Sequence, residues 1–401
     1  MSDPLDNGYV NWVDGMKISK SHFQQVQQAA EDRFQDTRAL MAEWCDHGLL
    51  PWGYMGKPAL AHSLTFEGRD RFQFRLDQCR AVTAGGDRIE MLGTADRVDR
   101  PFVLNGSVPV SLMTEGAAFD IVLRVTTTLE DHFGVPDPQE SPVRHPSVRP
   151  LCTLEMVPVK DLKQDVFGRH HLAIARMHVV KDELVEDEAF IPASMSMAAL
   201  PRLQEFMREY TKFLKDLERN MFRIVIKLNG QRDKTELQIA VETLCKAGLR
   251  SLEHGLGTVQ LLGDRMSPRM VVLHAVQLAR TMHHAIELLT GRGKDGMLDY
   301  IREHTGVNPA DHQLGITGLL DLVYDHADLR TSLGRVMLFC RLHKKLMDQW
   351  VGLDYIGQKQ DKNIFIGQEV PVASRQPSTP RPAPGPSRPP PQPKPTTGWD
   401  F

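Results

Sequence analysis

Apolar residues recur along the chain with two different periods, and each change of period marks a change of predicted structure. Residues 21–45 carry apolar side chains at three- and four-residue spacing, which predicts an amphipathic helix. Ser21 and Gln24 have the spacing of a capping box, so we expect this helix to begin at His22.

From about residue 59 to residue 192 the apolar period is two, which is the period of β-strands. The stretches 119–129 and 172–180 alternate most clearly, and turn residues separate the runs. Residues 134–150 contain five prolines, which a strand ladder accommodates poorly, so we predict an exposed loop or arm there. Short strands with frequent turns indicate a β-sandwich or a β-barrel.

After Pro192 the pattern becomes helical. Residues 200–224 hold three apolar heptads, which are typical of a packed helical seam, and we interpret this seam as a contact between chains. A polar residue within the seam is the kind that fixes register. The predicted trimer interface consists of Leu203, Phe206, Tyr210, Phe213, Leu217 and Asn220. Further helices are predicted at 235–254, 268–290, 309–327 and 329–350.

The last part of the chain has a different composition. Eleven prolines and no acidic residue lie between Val370 and Pro395, which predicts a disordered tether. Trp399 and Phe401 follow, and the tail is either an anchor for a partner through these two rings or a solubilising extension. The predicted fold class is α+β, with an N-terminal helix and β-sandwich at 1–192, a helical bundle at 193–291, a small helical domain at 292–366 and a disordered proline-rich tail at 367–401.

Composition narrows the class of protein. The 401 residues have a formal net charge of -3, which argues against a general nucleic-acid binder. No apolar run approaches the roughly 20 residues that a bilayer span needs, and no secretory leader is recognisable, so we predict no membrane insertion. The five cysteines are scattered and form no CxxC pair, which favours reduced thiols in the cytoplasm.

The sequence offers little catalytic chemistry, and we predict no cofactor and no metal. The glycine-rich stretch 291–296 lacks P-loop spacing and follows a predicted helix, so an interhelical turn is the simpler interpretation. His283 and Glu287 have helical i,i+4 spacing, and a metal site there needs a further ligand such as His254 or His304. Solvated histidines, or histidines at the edge of a core, are the default interpretation of these residues.

The stretch "WVDGMKISKSHFQQ" at 12–25 resembles the N-terminal signature of the TssK family, the baseplate subunits of bacterial type VI secretion systems. Lys20 departs from the signature, because the family usually has proline there. The stretches 119–125, 189–203 and 267–282 resemble family elements in the same order. The positions that match the signature are Trp12, Asp14, Gly15, Met16, Ile18, His22, Phe23, Gln24 and Gln25.

The resemblance implies a non-enzymatic homotrimer in the cytoplasm, at the inner face of the membrane when assembled. It implies a sandwich like the shoulder of phage receptor-binding proteins, followed by a helical bundle. The sandwich side is expected to bind the wedge subunits TssF and TssG, and the C-terminal region to reach the membrane complex. Only about seventy residues separate the bundle from the tail, and they carry no clear family motif.

The N-terminal segment has two interpretations. Its apolar side chains either clasp the first helix onto the protein's own sandwich or face a wedge subunit. The residues concerned are Trp12, Asp14, Gly15, Met16, His22 and Phe23. Two other functions remain open at this point: a phage-like tail or receptor-binding component, and a cytoplasmic metal-dependent enzyme built around His283 and Glu287.

Overall fold

Strands and helices follow one another in the order that the two periods predict. The computed structural model describes residues 7–51, 57–94, 97–98, 102–161, 168–289, 292–305 and 308–356. Within these ranges an N-terminal helix leads into β-sheets, and helices follow the last strand. The predicted α+β fold class is confirmed.

The first helix, α1 (Lys20–Met41), begins earlier than the predicted start at His22. Ser19 is the N-cap, and its backbone N–H donates to His22 Nδ1 over 3.1 Å. An imidazole therefore takes the role that a Glu or Gln side chain usually has in a capping box. Ser21, the predicted cap, lies inside the first helical turn.

Two larger antiparallel sheets and one two-stranded sheet form the described β region. The strand bounds are β1 (Gly48–Leu49), β2 (Leu60–Glu67), β3 (Arg71–Val82), β4 (Arg88–Met91), β5 (Gly93–Thr94), β6 (Arg97–Val98), β7 (Phe102–Ser107), β8 (Ala118–Phe133), β9 (Ser147–Pro158), β10 (His171–Val180) and β11 (Glu183–Glu186). In the first larger sheet, β3 pairs with its neighbours β1, β2, β4 and β7; in the second, the strand order is β11-β10-β8-β9. Strands β5 and β6 pair with each other.

Alternate side chains of both sheets enter one core, as the period of two predicts. Phe74 and Leu76 from β3 are fully buried, as are Ile121 and Leu123 from β8. Strands β8 and β9 continue past the core as a long hairpin, and the proline-rich connection between them is exposed, as predicted. Pro150 lies within β9, which is an edge strand and therefore tolerates a residue without an N–H group.

The helical region contains α2 (Pro201–Asn229), α3 (Glu236–Leu262), α4 (Pro268–Glu287), α5 (Arg292–Thr305), α6 (Pro309–Leu320) and α7 (Leu329–Gly352). The last helix packs against α2, where the rings of Phe213 and Phe339 meet edge to face with centroids 6.4 Å apart. Helices on both sides of residue 291 therefore contribute to one hydrophobic core, and the predicted domain bounds stay a prediction.

Arg176 on β10 joins the sheets to the last helix. Its guanidinium donates to both carboxylate oxygens of Asp120 on β8, over 2.6 and 3.1 Å. It also donates to Asp328 over 2.5 Å, and the other oxygen of Asp328 accepts from the Arg330 N–H as the N-cap of α7. Asp120 is only 2% exposed, so burial raises its pKa while the hydrogen bonds from Arg176 oppose that shift.

We predict that Arg176→Met lowers the free energy of unfolding by about 3 kcal/mol or more, because it leaves the Asp120 carboxylate buried without its cation. The shift of the urea unfolding midpoint measures this loss. Arg124→Met is the matched control on β8, since Arg124 and Glu155 form an exposed pair worth less than about 1 kcal/mol. Equal shifts for the two variants would contradict the prediction.

Two buried histidines lie side by side between α6 and α7. His312 and His343 are 1% and 0% exposed, and their ring centroids are 5.0 Å apart. The Nδ1–H of His343 donates to the Phe339 carbonyl over 2.9 Å, whereas His343 Nε2 and both nitrogens of His312 have no partner among the described residues. Burial lowers the pKa of His312 to about 4 and that of His343 to about 3.

These pKa values predict acid sensitivity. Above the ordinary histidine pKa of 6.5 the two imidazoles are neutral in both the folded and the unfolded chain. As the pH falls from 6.5 towards 4, the unfolded chain binds protons at these histidines and the folded chain does not. The free energy of unfolding therefore decreases over this range. We predict that His312→Leu removes one such proton and reduces the slope of stability against pH by about 1.4 kcal/mol per pH unit. Urea titrations at several pH values measure the slope. Phe222→Leu, at an exposed position, removes no ionisable group and should leave the slope unchanged.

Candidate assembly surfaces

The N-terminal segment folds back along one side of α1. Asn7 donates its backbone and side-chain N–H groups to Asp32, over 3.0 and 2.9 Å. Further along, the Arg33 guanidinium lies 3.7 Å from the centroid of the Tyr9 ring. The segment therefore runs antiparallel to the helix and covers that side of it.

The turn of the recognised motif has a physical reason for its glycine. Gly15 has a φ of +77°, which an L side chain adopts only with strain, and the Met16 N–H closes the turn onto the Val13 carbonyl over 3.1 Å. The turn places Trp12 against His22, with ring centroids 6.0 Å apart in an edge-to-face arrangement. The motif residues thus form a local unit around the start of the helix.

This unit is not packed onto the sandwich. Trp12 is 50% exposed and Phe23 is 63% exposed, Asp14 and Gly15 are exposed, and Met16 and His22 are half-buried. Instead, α1 meets the sheet region through Arg38, which donates to the carbonyls of Asp46 and Thr83 over 2.9 and 3.4 Å. The single chain therefore lacks the clasp in which Trp12 and Phe23 pack on its own sheets, and contact with a wedge subunit stays a prediction.

The adjoining side of α1 carries an exposed apolar stripe. At 100° per residue its six positions fall within about 80° of the helix circumference. We call this set the α1 stripe: Phe23, Val26, Ala30, Phe34, Thr37 and Met41. Phe34 and Met41 are 76% and 82% exposed, whereas Ala29, which is fully buried, lies outside the stripe. The sequence pattern predicted an apolar face here, and Phe34 is the more exposed of its two aromatic rings.

The seam predicted as a trimer interface lies inside one chain, which corrects that assignment. All six of its side chains are at most 5% exposed. Phe213 meets Phe339, and Asn220 donates to Asp348 of α7 over 2.8 Å. The heptad is real, but α7 and the other helices of the same chain fill it. The corrected residues are Leu203, Phe206, Tyr210, Phe213, Leu217 and Asn220.

We predict that Phe213→Ala lowers the free energy of unfolding by about 3–5 kcal/mol, because it opens a cavity in the core of the chain. Phe222→Ala is the matched control on the same helix, since Phe222 is 51% exposed, and we expect it to cost less than about 1 kcal/mol. Urea unfolding measures both, and light scattering should give Phe213→Ala the same assembly mass as the unchanged protein. A Phe213→Ala protein of unchanged stability that loses its partner chains would restore the interface assignment.

The candidate metal ligand Glu287 is engaged by a neighbouring lysine. Glu287 accepts from Lys294 Nζ over 2.6 and 2.7 Å, and this bond holds the Glu287 pKa below its ordinary value. The side chain of His304 lies outside the described residues. Among those that are described, no three His, Cys, Asp or Glu side chains come together as a metal site.

Other groups that could carry chemistry have structural explanations where the structure describes them. Residues 292–296 form the first turn of α5. His170 pairs with Asp87 over 2.7 Å, and burial raises the pKa of the Cys79 thiol to about 12. Within the described ranges no helix is long and apolar enough to cross a membrane. The predicted tail anchors, Trp399 and Phe401, lie outside the described residues.

Comparison with known proteins identifies the fold. No family model matches the sequence, and no curated protein matches it. A crystal structure of TssK matches with a TM-score of 0.51 at 16% identity, covering 83% of this chain and 68% of that one. TssK from EAEC in complex with a nanobody gives 0.47 at 17% identity over 80% and 98% of the two chains. A TssK-TssF-TssG baseplate subcomplex of the type VI secretion system gives 0.47 at 16% identity over 85% and 99%.

The crystal structure of TssK establishes that this chain has the TssK fold. The resemblance that the N-terminal motif indicates is therefore confirmed at the level of the fold.

Proposed function

We propose that this protein is a non-enzymatic structural subunit of a type VI secretion baseplate, where it acts as an adaptor between the wedge and the membrane-side complex. Two observations support the proposal independently: the N-terminal motif of residues 12–25 and the TssK fold. The observation that carries it is the exposed α1 stripe, because a protein that acts by assembly has to present such a surface.

The stripe has the size and chemistry of an interface core. The stripe runs from Phe23 to Met41, so at 1.5 Å per residue it is about 27 Å long. Large exposed apolar groups that lie together mark interaction sites, and burying one Phe or Met side chain contributes about 1.5–3 kcal/mol. Phe23, Val26, Phe34 and Met41 together supply enough apolar surface to anchor a partner.

The partner that fits is a wedge subunit of the TssF or TssG type. The solved subcomplex that contains TssF and TssG is described for a TssK protein, and the motif beside the stripe belongs to the same family signature. The stripe extends the surface formed by Trp12 and Phe23, so one partner is able to cover both.

A homotrimer is part of the proposal, but its contacts have to lie outside the buried seam. Phe222 and Ile226 are 51% and 68% exposed on the outer side of α2, and they are candidates for contacts between protomers. The membrane-side contact is assigned to the C-terminal region, with the tail residues Trp399 and Phe401 as its proposed anchors.

We predict that Phe34→Glu abolishes co-purification with the wedge subunits of the source bacterium, because it places a charge at the centre of an apolar contact. Gln35→Glu is the matched control: it adds the same charge at the neighbouring exposed position, which lies about 100° away around the helix. Circular dichroism should give the same helix content for both variants. Wedge binding that survives Phe34→Glu would remove the α1 stripe from the proposed interface.

A further inference from the structure

A polar cleft lies between α3 and α4, away from the α1 stripe. These two helices form an antiparallel hairpin, joined by a short 3-10 turn at Gly263–Arg265. The cleft has a volume of about 320 Å³. The polar side chains that line it are Arg250, Ser251, His254, His274, Gln277 and Thr281.

His274 on α4 connects this cleft to the core of the bundle. Its Nδ1 lies 2.6 Å from the hydroxyl of Tyr210, a side chain that is 0% exposed. The other edge of the ring, with Nε2, lies against Gly255 of α3, where a Cβ atom would be 2.0 Å from Nε2. Gly255 is therefore required, because any side chain at that position would displace the ring.

The buried hydroxyl determines which imidazole nitrogen carries the proton. A buried O–H group needs an acceptor, and His274 Nδ1 is the hydrogen-bond partner found for Tyr210 among the described residues. Burial lowers the pKa of His274, so the ring is neutral at pH 7 and holds one proton. If Nδ1 accepts from Tyr210, that proton sits on Nε2, and the cleft receives an N–H donor.

Among the described residues, the cleft is lined by a positive charge and by no negative charge. Arg250 contributes a guanidinium, and no carboxylate occurs among the described residues that line the space. No ion-pair partner of Arg250 is found in the described part of the chain, whereas Arg219 and Arg330 are paired with Asp216 and Asp187. The Thr281 hydroxyl donates to the Gln277 carbonyl over 3.0 Å and is therefore left as an acceptor.

We propose that this cleft binds one oxyanion, a carboxylate or a phosphate group, with Arg250 as its charged partner and His274 Nε2–H as its inner donor. Guanidinium groups bind carboxylate and phosphate oxygens through charge-assisted hydrogen bonds. A volume of about 320 Å³ is at the small end of ligand sites, which suits a single anionic group or an acidic side chain of a partner. The assignment is independent of the proposed baseplate function.

Isothermal titration calorimetry on the full chain tests this site. Sodium phosphate and the acetylated, amidated form of aspartate are titrated separately, with sodium chloride at equal ionic strength as the blank. We expect binding of at least one probe, a loss of affinity of about tenfold or more in Arg250→Gln, and wild-type affinity in Arg280→Gln. Arg280 is exposed on α4 and does not line the cleft, so it is the matched control.

The two probes separate the sources of the anion. Binding of phosphate alone assigns the cleft to a free or covalently attached phosphate group, and binding of the aspartate derivative assigns it to an acidic side chain. No binding of either probe, or an equal loss in Arg250→Gln and Arg280→Gln, would overturn the proposal.

The role of His274 has its own readout. The nitrogen chemical shifts of the imidazole should report a proton on Nε2 in the wild-type chain. Tyr210→Phe removes the hydroxyl that donates to His274 Nδ1, so we expect the imidazole to populate both neutral tautomers. The affinity for the probe that binds should then be several-fold weaker. A wild-type proton on Nδ1 would remove His274 from the site.

Discussion

The ion-pair network around Arg176 is the interaction on which the arrangement of this protein depends. One guanidinium satisfies a buried carboxylate in the second sheet and, at the same time, the aspartate that caps α7. The β region and the helical region are therefore joined by the planar guanidinium of Arg176 as well as by apolar contacts. Removing the cation leaves Asp120 and Asp328 close together, and each raises the cost of the other's charge.

The position of α7 has consequences for the rest of the bundle. Because α7 starts at the network and packs along α2, it fills the seam that would otherwise be available to another chain. Asp348 of α7 also accepts a hydrogen bond from Asn220, the polar residue of that seam. The surfaces left for partners are then the outer sides of the helices and α1, where the exposed apolar side chains are found.

Sequence reasoning predicted the kinds of element well, because periods of two and 3.6 are direct consequences of strand and helix geometry. It could not predict which chain fills a seam, since Phe213 is buried equally well by a helix of its own chain or by one from another. The start of α1 was misplaced for a similar reason: the imidazole of His22 replaces the carboxamide that the capping pattern expects. The six seam residues were predicted to be packed, and they are, but against a different partner.

The α1 stripe shows a second limit of sequence reasoning, because the pattern does not tell whether an apolar face is buried within the chain. Its apolar pattern predicted a helix with one face to bury, and the single chain leaves that face exposed. The helix is held mainly by polar contacts, through Asp32 on one side and Arg38 near its end. Such contacts are individually weak, so α1 belongs to the less stable parts of the fold, whereas the network around Arg176 belongs to its core. A partner that covers the stripe would bury the apolar surface and stabilise the helix in the same step, so binding and the ordering of α1 are expected to be coupled.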